Sequence, residues 1–339
     1  MRGDPHGMEQ TANHTRYHPG QRRGHYESFF LRANHPSRPL AFWIRYTIFS
    51  PEGRPEAARG ELWAVCFDGE TAVHVAVKRE VPFSACAFDR SAFDVRVDDA
   101  RLRPGALDGC ASAGGHTIAW NLTYRGDAPP LLLLPPRLYA SPLPKAKSLV
   151  GLPLARFAGR LTVDGAGVDV SDWVGSQNHN WGSRHTDHYA WGQVAGFDTH
   201  PDSFLEIGTA RLKLGPFWTP LMTVLVLRHR GEELALNSVR QSLRARAAFR
   251  YFEWEFATRN ERVQVSGRIT APRESFVGLR YGNPPGGEKH CLNSKLAACE
   301  LRVTDTRAPG QPAEVLSTAH RAAFEILTDD RAHGIAIRV

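Results

Sequence analysis

The feature that most constrains this chain is how its apolar residues are grouped. They come in short runs of β-branched and aromatic side chains, each closed by turn formers, with hardly any stretch of helical period. Tyr26 to Ala33 opens the series, and Leu40 to Phe49 follows, ending at Ser50-Pro51-Glu52-Gly53. Gly60 to Asp68, Val73 to Arg79, Phe93 to Val97 and His116 to Tyr124 continue it. A second series starts at Gly159 to Asp164 and passes through Gly165-Ala166-Gly167 into Val168 to Val170. It runs on through His188 to Gly196, Ser203 to Leu212, Thr219 to Arg228, Glu233 to Leu236, Phe249 to Thr258, Glu261 to Thr270, Ala298 to Thr304 and Arg321 to Leu327. Leu292 to Glu300 reads as a short helix or a turn, and Ala313 to Ala319 is ambiguous. The pattern predicts an all-β chain of the sandwich or barrel type.

A length of 339 residues is enough for two ordinary domains. Residues 1–24, rich in His, Arg, Gly, Pro and Asn and without apolar period, are expected to be a disordered tail. Residues 129–154 carry Pro129, Pro130, Pro135, Pro136, Pro142, Pro144 and Pro153, which remove backbone donors and interrupt ladders. That segment is read as a connector packed against protein, crossing between a first half at 25–128 and a second at 155–339.

Hydrophobic residues at 42% and charged residues at 23% are normal for a folded domain. No apolar run is long enough for a membrane-spanning helix, and the N-terminus lacks the apolar core of a secretory signal, so a cytoplasmic location is expected. Cys66, Cys86, Cys110, Cys291 and Cys299 are scattered without a C-x-x-C pair and are read as reduced thiols. The net charge of +7 is spread along the chain, which argues against nucleic acid and leaves open a weak peripheral attraction to an anionic membrane. No phosphate-binding glycine loop, dinucleotide fingerprint or nucleophile elbow is present, so no cofactor is expected. Nothing fixes the oligomeric state.

The densest chemistry lies between Trp173 and Gln193, where three tryptophans and three histidines stand among asparagines, glutamines, an arginine and an aspartate. A surface loop rarely carries so many aromatics, and a core strand rarely carries so many groups needing partners. The mixture suits a pocket with apolar walls and a few placed polar groups, occupied by a small hydrophobic ligand. A hydrogen-bonded corner closing a barrel is the bland reading, and the two are compatible. His185-x-x-His188 with Asp187 invites a metal; on a strand residues three apart face opposite sides, though a loop could present both, and with no cysteine near and no H-E-x-x-H motif no metal site is expected.

Gln177-Asn178-His179-Asn180-Trp181-Gly182, followed by Tyr189-Ala190-Trp191-Gly192-Gln193, resembles the central signature of the AttH-type lipocalin-like superfamily. That group includes carotenoid 1,2-hydratases, fungal lipocalin-like Diels–Alderases and, more distantly, tocopherol cyclases. Tyr26-Glu27-Ser28-Phe29-Phe30 is similar to its acidic and aromatic first strand. The resemblance implies two tandem lipocalin-like antiparallel β-barrel halves and isoprenoid or polyketide-like substrates. It does not fix a reaction, because members differ in chemistry. Hydratase-type members place a carboxylate beside the histidine of His-x-Trp-Gly; here that neighbour is Asn178, which supplies no proton.

Hydration or cyclisation of an alkene needs a proton donor and a setting that tolerates a cation. A carboxylic acid in an apolar pocket meets the first need and aromatic faces the second. Glu27, Asp187 and Glu206 are the candidate acids, and His179 is the leading candidate for a functional residue. Asn178, Asn180, Trp181, Arg184, Tyr189, Trp191 and Gln193 are the candidate substrate contacts. Two readings stay open: a cofactor-free hydratase or cyclase, and a non-catalytic carrier of a lipid-like molecule.

Overall fold

A computed structural model describes residues 11–308 and 310–339. The chain is almost entirely antiparallel β. Its two α-helices among the described residues, Pro136–Ala140 and Val239–Arg244, are each little more than one turn long. The strands form two large sheets.

The first sheet runs, neighbour to neighbour, Val75–Pro82, Arg59–Asp68, Leu40–Ser50, His25–Asn34, Ala166–Gly182, Ala146–Val163, His116–Arg125 and Ala106–Ala113, ending in three short strands. It curls until Val75–Pro82 packs against Ala106–Ala113 and His116–Arg125, nearly closing a barrel. Phe29, Leu31, Phe42, Ile44, Tyr46 and Leu62 fill its inside. The alternate residues Phe30, Trp43, Trp63 and Val65 point outward. These are buried too, because the second sheet covers them with Val277, Leu279, Tyr281, Cys291 and Leu327. Burial on both faces is why these strands read as nearly continuous apolar runs.

The second sheet runs Glu232–Leu236, Met222–His229, Phe204–Arg211, His188–Ala195, Glu314–Thr328, Glu288–Asp305, Val263–Thr270, Glu253–Arg259 and Arg246–Arg250. Val277–Gly282 pairs with the early part of Glu288–Asp305. Its interior holds Leu205, Ile207, Leu225, Trp254, Phe256, Phe324 and Ile326.

Several expectations are corrected. Residues 1–10 lie outside the described residues, but 11–24 are no loose tail: Ala12, Thr15 and Tyr17 are buried. The proline-rich segment is not the crossing between sheets. Leu131 and Leu132 pair with Val150 and Leu149 of the first sheet, and the hairpin of Ala146–Val163 with Ala166–Gly182 completes that sheet. The chain passes to the second sheet at 183–187. Which neighbour a strand finds depends on sheet closure, which local composition does not encode. Leu292 to Glu300 lies within the strand Glu288–Asp305, bent by register shifts between Ser294 and Cys299. Phe249 to Thr258 is two strands joined through Phe252, whose φ is 141°. Ala313 to Ala319 falls almost wholly in the strand Glu314–Thr328.

Candidate functional site

The motif strand Ala166–Gly182 lies between His25–Asn34 and Ala146–Val163, with Phe29 opposite His179 and Phe30 opposite Asn178. Period-two alternation therefore splits the motif between two places. Gln177, His179 and Trp181 turn toward the first barrel's interior with Leu31, Phe29 and Glu27. Ser176 and Asn178 turn toward the second sheet with Arg32 and Phe30.

On the inner side His179 and Glu27 form a fully buried pair. Nε2 of His179 lies 2.8 Å from Glu27 Oε1, and its Nδ1–H donates to the Ala12 carbonyl at 2.7 Å. Both ring nitrogens thus face acceptors. Glu27 also accepts the backbone N–H groups of Arg16 at 2.7 Å and Tyr17 at 2.8 Å, and His25 Nε2 reaches it at 3.0 Å. Burial pushes this carboxyl up, but the hydrogen bonds from His179 and His25 outweigh it and hold it down at about 2. The His179 ring stacks on Phe29 at 4.2 Å and meets Trp181 at 4.7 Å. Asn13 exchanges two hydrogen bonds with Gln177, and Arg16 lies over the Trp181 ring. The segment expected to be disordered is therefore the cap over the motif histidine, which is completely buried beneath it.

On the outer side a polar network joins the two sheets. Ser176 Oγ–H donates to Gln193 Oε1 at 2.6 Å, and the Gln193 amide donates to Asn178 Oδ1 and Glu206 Oε2, each at 2.8 Å. The Trp191 indole N–H donates to Glu206 Oε1 at 2.8 Å. Arg32, fully buried, donates to the Gln193 side chain and backbone and to the carbonyl of Arg321. Burial raises the Glu206 carboxyl to about 7 against the pull of Trp191, Gln193 and Arg32, with Glu325 adding to the rise. Glu206 is 1% exposed.

Beside this network the aromatic seam encloses a second ionic group. Lys295 Nζ donates to Glu325 Oε1 at 2.7 Å and to Asn293 Oδ1 at 2.5 Å, lying 5.3 Å from the Trp191 ring and 5.8 Å from that of Trp43. Burial lowers the Lys295 ammonium, opposed by Glu325. Arg45 lies 4.5 Å over Tyr281 and donates to Ser28 Oγ. The Trp43 indole N–H, buried, meets no acceptor among the described residues. Tyr189 and Trp191 pack on this cluster yet keep part of their surface accessible.

Of the candidate acids, Glu206 is buried and raised, whereas Glu27 is buried and lowered. Asp187 is tied to Arg184 at 2.6 Å and to the Lys213 backbone N–H at 2.9 Å, in the crossing between sheets. Asn178, Tyr189, Trp191, Gln193 and Glu206 come together in the seam; His179, Glu27 and Trp181 do not join them, nor do Arg184 and Asp187. Asn180 is half-buried, its side-chain oxygen without a partner among the described residues. His185 stacks on Tyr26 and His188 lies on Phe249, so the two rings serve different surroundings; burial lowers His185 to about 3. Among the described residues no group of three or more His, Cys, Asp or Glu is placed to hold a metal ion.

Arg32, Arg45, Lys295 and Glu325 were missed in the sequence. Their signal was available: each is a charge set between apolar or small immediate neighbours, as in Leu31-Arg32-Ala33 and Phe324-Glu325-Ile326. Such a charge is either a solvent face or a buried pair, and only the covering sheet decides which.

No family model matches the chain. Two uncharacterized proteins of Mycobacterium tuberculosis, from strains CDC 1551 and H37Rv, are each 28% identical over 222 residues, 65% of this chain. The match spans 63% of the length of those relatives. Among solved structures, a Nitrosomonas europaea protein described as AttH superposes with a TM-score of 0.56 at 14% identity, covering 92% of this chain and 94% of its own. Kievitone hydratase of Nectria haematococca gives 0.54 at 11%, covering 90% and 89%. CghA gives 0.53 at 11%, covering 90% and 88%. These likenesses show the fold: two large antiparallel sheets, the first nearly closed as a barrel, in a two-barrel lipocalin-like arrangement. No helix among the described residues is long and apolar enough to cross a membrane.

Proposed function

We propose that this chain is a cofactor-free enzyme of the hydratase or cyclase kind, acting on a hydrophobic isoprenoid or natural-product molecule in the seam between its sheets, with Glu206 as proton donor. The observation that carries the reading is a carboxyl raised to about 7 by burial, fixed in place by the Trp191 indole and the Gln193 amide. Near neutral pH such a group gives up a proton more readily than an alcohol and holds it more firmly than an ordinary carboxyl. In the proposed step the proton passes from Glu206 to an alkene carbon, leaving a carboxylate and a carbocation. The faces of Trp191, Trp43 and Tyr189 shield the cation. Water or a nucleophilic group of the substrate then captures it, and the proton released returns to Glu206. Arg32, 3.3 Å from Gln193 Oε1, favours the transient carboxylate. The unpartnered Trp43 N–H and the Lys295–Glu325 pair suit a polar end of the substrate. In this reading His179 and Glu27 hold the N-terminal cap, and Arg184 and Asp187 brace the crossing; none of them touches the substrate. The likeness to kievitone hydratase supports this kind of chemistry by fold alone.

A panel of terpenoid and polyketide-derived alkenes incubated in D2O tests the proposal, since protonation of carbon leaves deuterium in the product. Deuterium incorporation with the wild type and its loss in Glu206→Gln is the expected result. Tight binding of panel members by both proteins without incorporation in either would establish the carrier reading instead.

A further inference from the structure

Within residues 211–250 two elements, a hairpin and a short helix, carry exposed apolar side chains that neither the fold's core nor the seam explains. Lys213–Leu214 and Phe217–Trp218 form a two-stranded hairpin around Gly215 and Pro216. Its base is fixed by reciprocal bonds between Leu212 and Thr219 and by Lys213 N–H to Asp187. At its end Phe217 is 75% exposed and Trp218 42%. The hairpin leads into the strand Met222–His229, and the helix Val239–Arg244 packs against that strand. Val239 and Leu243, one turn apart on the helix, are 46% and 49% exposed while Ser242 faces in. Elsewhere among the described residues the exposed large hydrophobics are the scattered Val73, Leu143 and Val315.

The charges around these side chains are mostly basic. From Ile207 to Gly231 and from Leu234 to Phe252 there is no Asp or Glu. Within the segment, Arg228 pairs with Glu233 and Arg230 with Glu314. Arg211, Lys213, Arg240, Arg244 and Arg250 are exposed and form no ion pair among the described residues. Arg211 instead lies 4.5 Å over the Trp218 ring. A cleft of about 380 Å³ opens between Trp218, Arg211, Phe249, Arg250 and His188. Its acids are engaged: Asp187 by Arg184, Asp329 by Lys289 and Asp330 by the Tyr251 hydroxyl.

We propose that this face docks on a bilayer rich in anionic lipid, Phe217 and Trp218 entering the headgroup boundary while the unpaired arginines and lysine meet lipid phosphates. Aromatic side chains at a hairpin end supply the apolar part of interfacial binding, and uncompensated cations supply the attraction to anionic lipid. A soluble anionic partner would use the cations but leave Phe217 bare. The inference stands apart from the reaction proposed above, since vesicle binding is read without any substrate.

The full chain is floated with vesicles of phosphatidylcholine alone and with 30% phosphatidylglycerol. Flotation with the anionic vesicles at low salt, falling in 1 M salt, is the expected result. Phe217→Ala with Trp218→Ala, and separately Arg211→Glu with Lys213→Glu, should each weaken partitioning about tenfold or more. Absence of flotation, equal flotation with neutral vesicles, or undiminished flotation of the Phe217/Trp218 variant would overturn the proposal. In the last case, capture on an anionic polymer in the variant's place would assign the face to a soluble partner.

Discussion

Replacing Glu27 by Gln tests whether the motif histidine belongs to a structural clamp. The carboxylate collects two backbone N–H groups and two histidines with no exposure to water. A fall from the ordinary 4.5 to about 2 corresponds to about 3 kcal/mol of native-state stabilisation at neutral pH. Because the folded-state value is the depressed one, that stabilisation is complete above the unfolded value near 4.5 and is lost as pH falls toward 2. A glutamine keeps one acceptor oxygen and turns an amide toward donors, so most of the stabilisation should go. Urea unfolding of wild type and variant should show a gap of about 3 kcal/mol from pH 7 to pH 5, shrinking to roughly 1.4 kcal/mol at pH 3. Residues 11–17 should also lose amide-exchange protection before the barrel does. A gap under about 1 kcal/mol at pH 7, or one that stays constant into acid, would refute the clamp.

Glu206 has the opposite sign. Its raised carboxyl favours the fold in acid and loses that advantage as pH climbs from 4.5 to about 7, so Glu206→Gln should be nearly neutral at pH 4 and stabilising by up to about 3 kcal/mol at pH 8 in the same assay. Lys295→Met should destabilise by about 3–5 kcal/mol by leaving Glu325 buried alone, whereas Lys295→Met with Glu325→Leu should recover much of the loss in a double-mutant cycle. Gly175→Ala would drive a methyl into the carbonyl oxygen of Arg32 across the central strand pair. It should cost several kcal/mol, read as a lowered unfolding midpoint.

Much of the strand framework was legible because alternation and β-propensity are local: His25–Asn34, Leu40–Ser50, Arg59–Asp68 and His188–Ala195 lie within a residue or two of where their composition places them. Leu292 to Glu300 was not, since a strand buried on both faces and bent by bulges loses its alternation. Glu206 could be named as an acid among apolar neighbours, but not distinguished from Glu27. Both carry the same carboxyl in similar company; one receives His179, His25 and two backbone donors, while the other receives an indole, an amide and a neighbouring negative charge.

By itself, then, the sequence determined the β class, the dense polar–aromatic strand and the set of acids able to act. The tertiary structure alone decided that residues 11–17 close over His179, that the motif strand serves two faces, and that the sheets change at 183–187. The physical reason is range. Propensity and period act between neighbours in the chain, whereas the charge a side chain carries depends on which distant strand or segment excludes water from it.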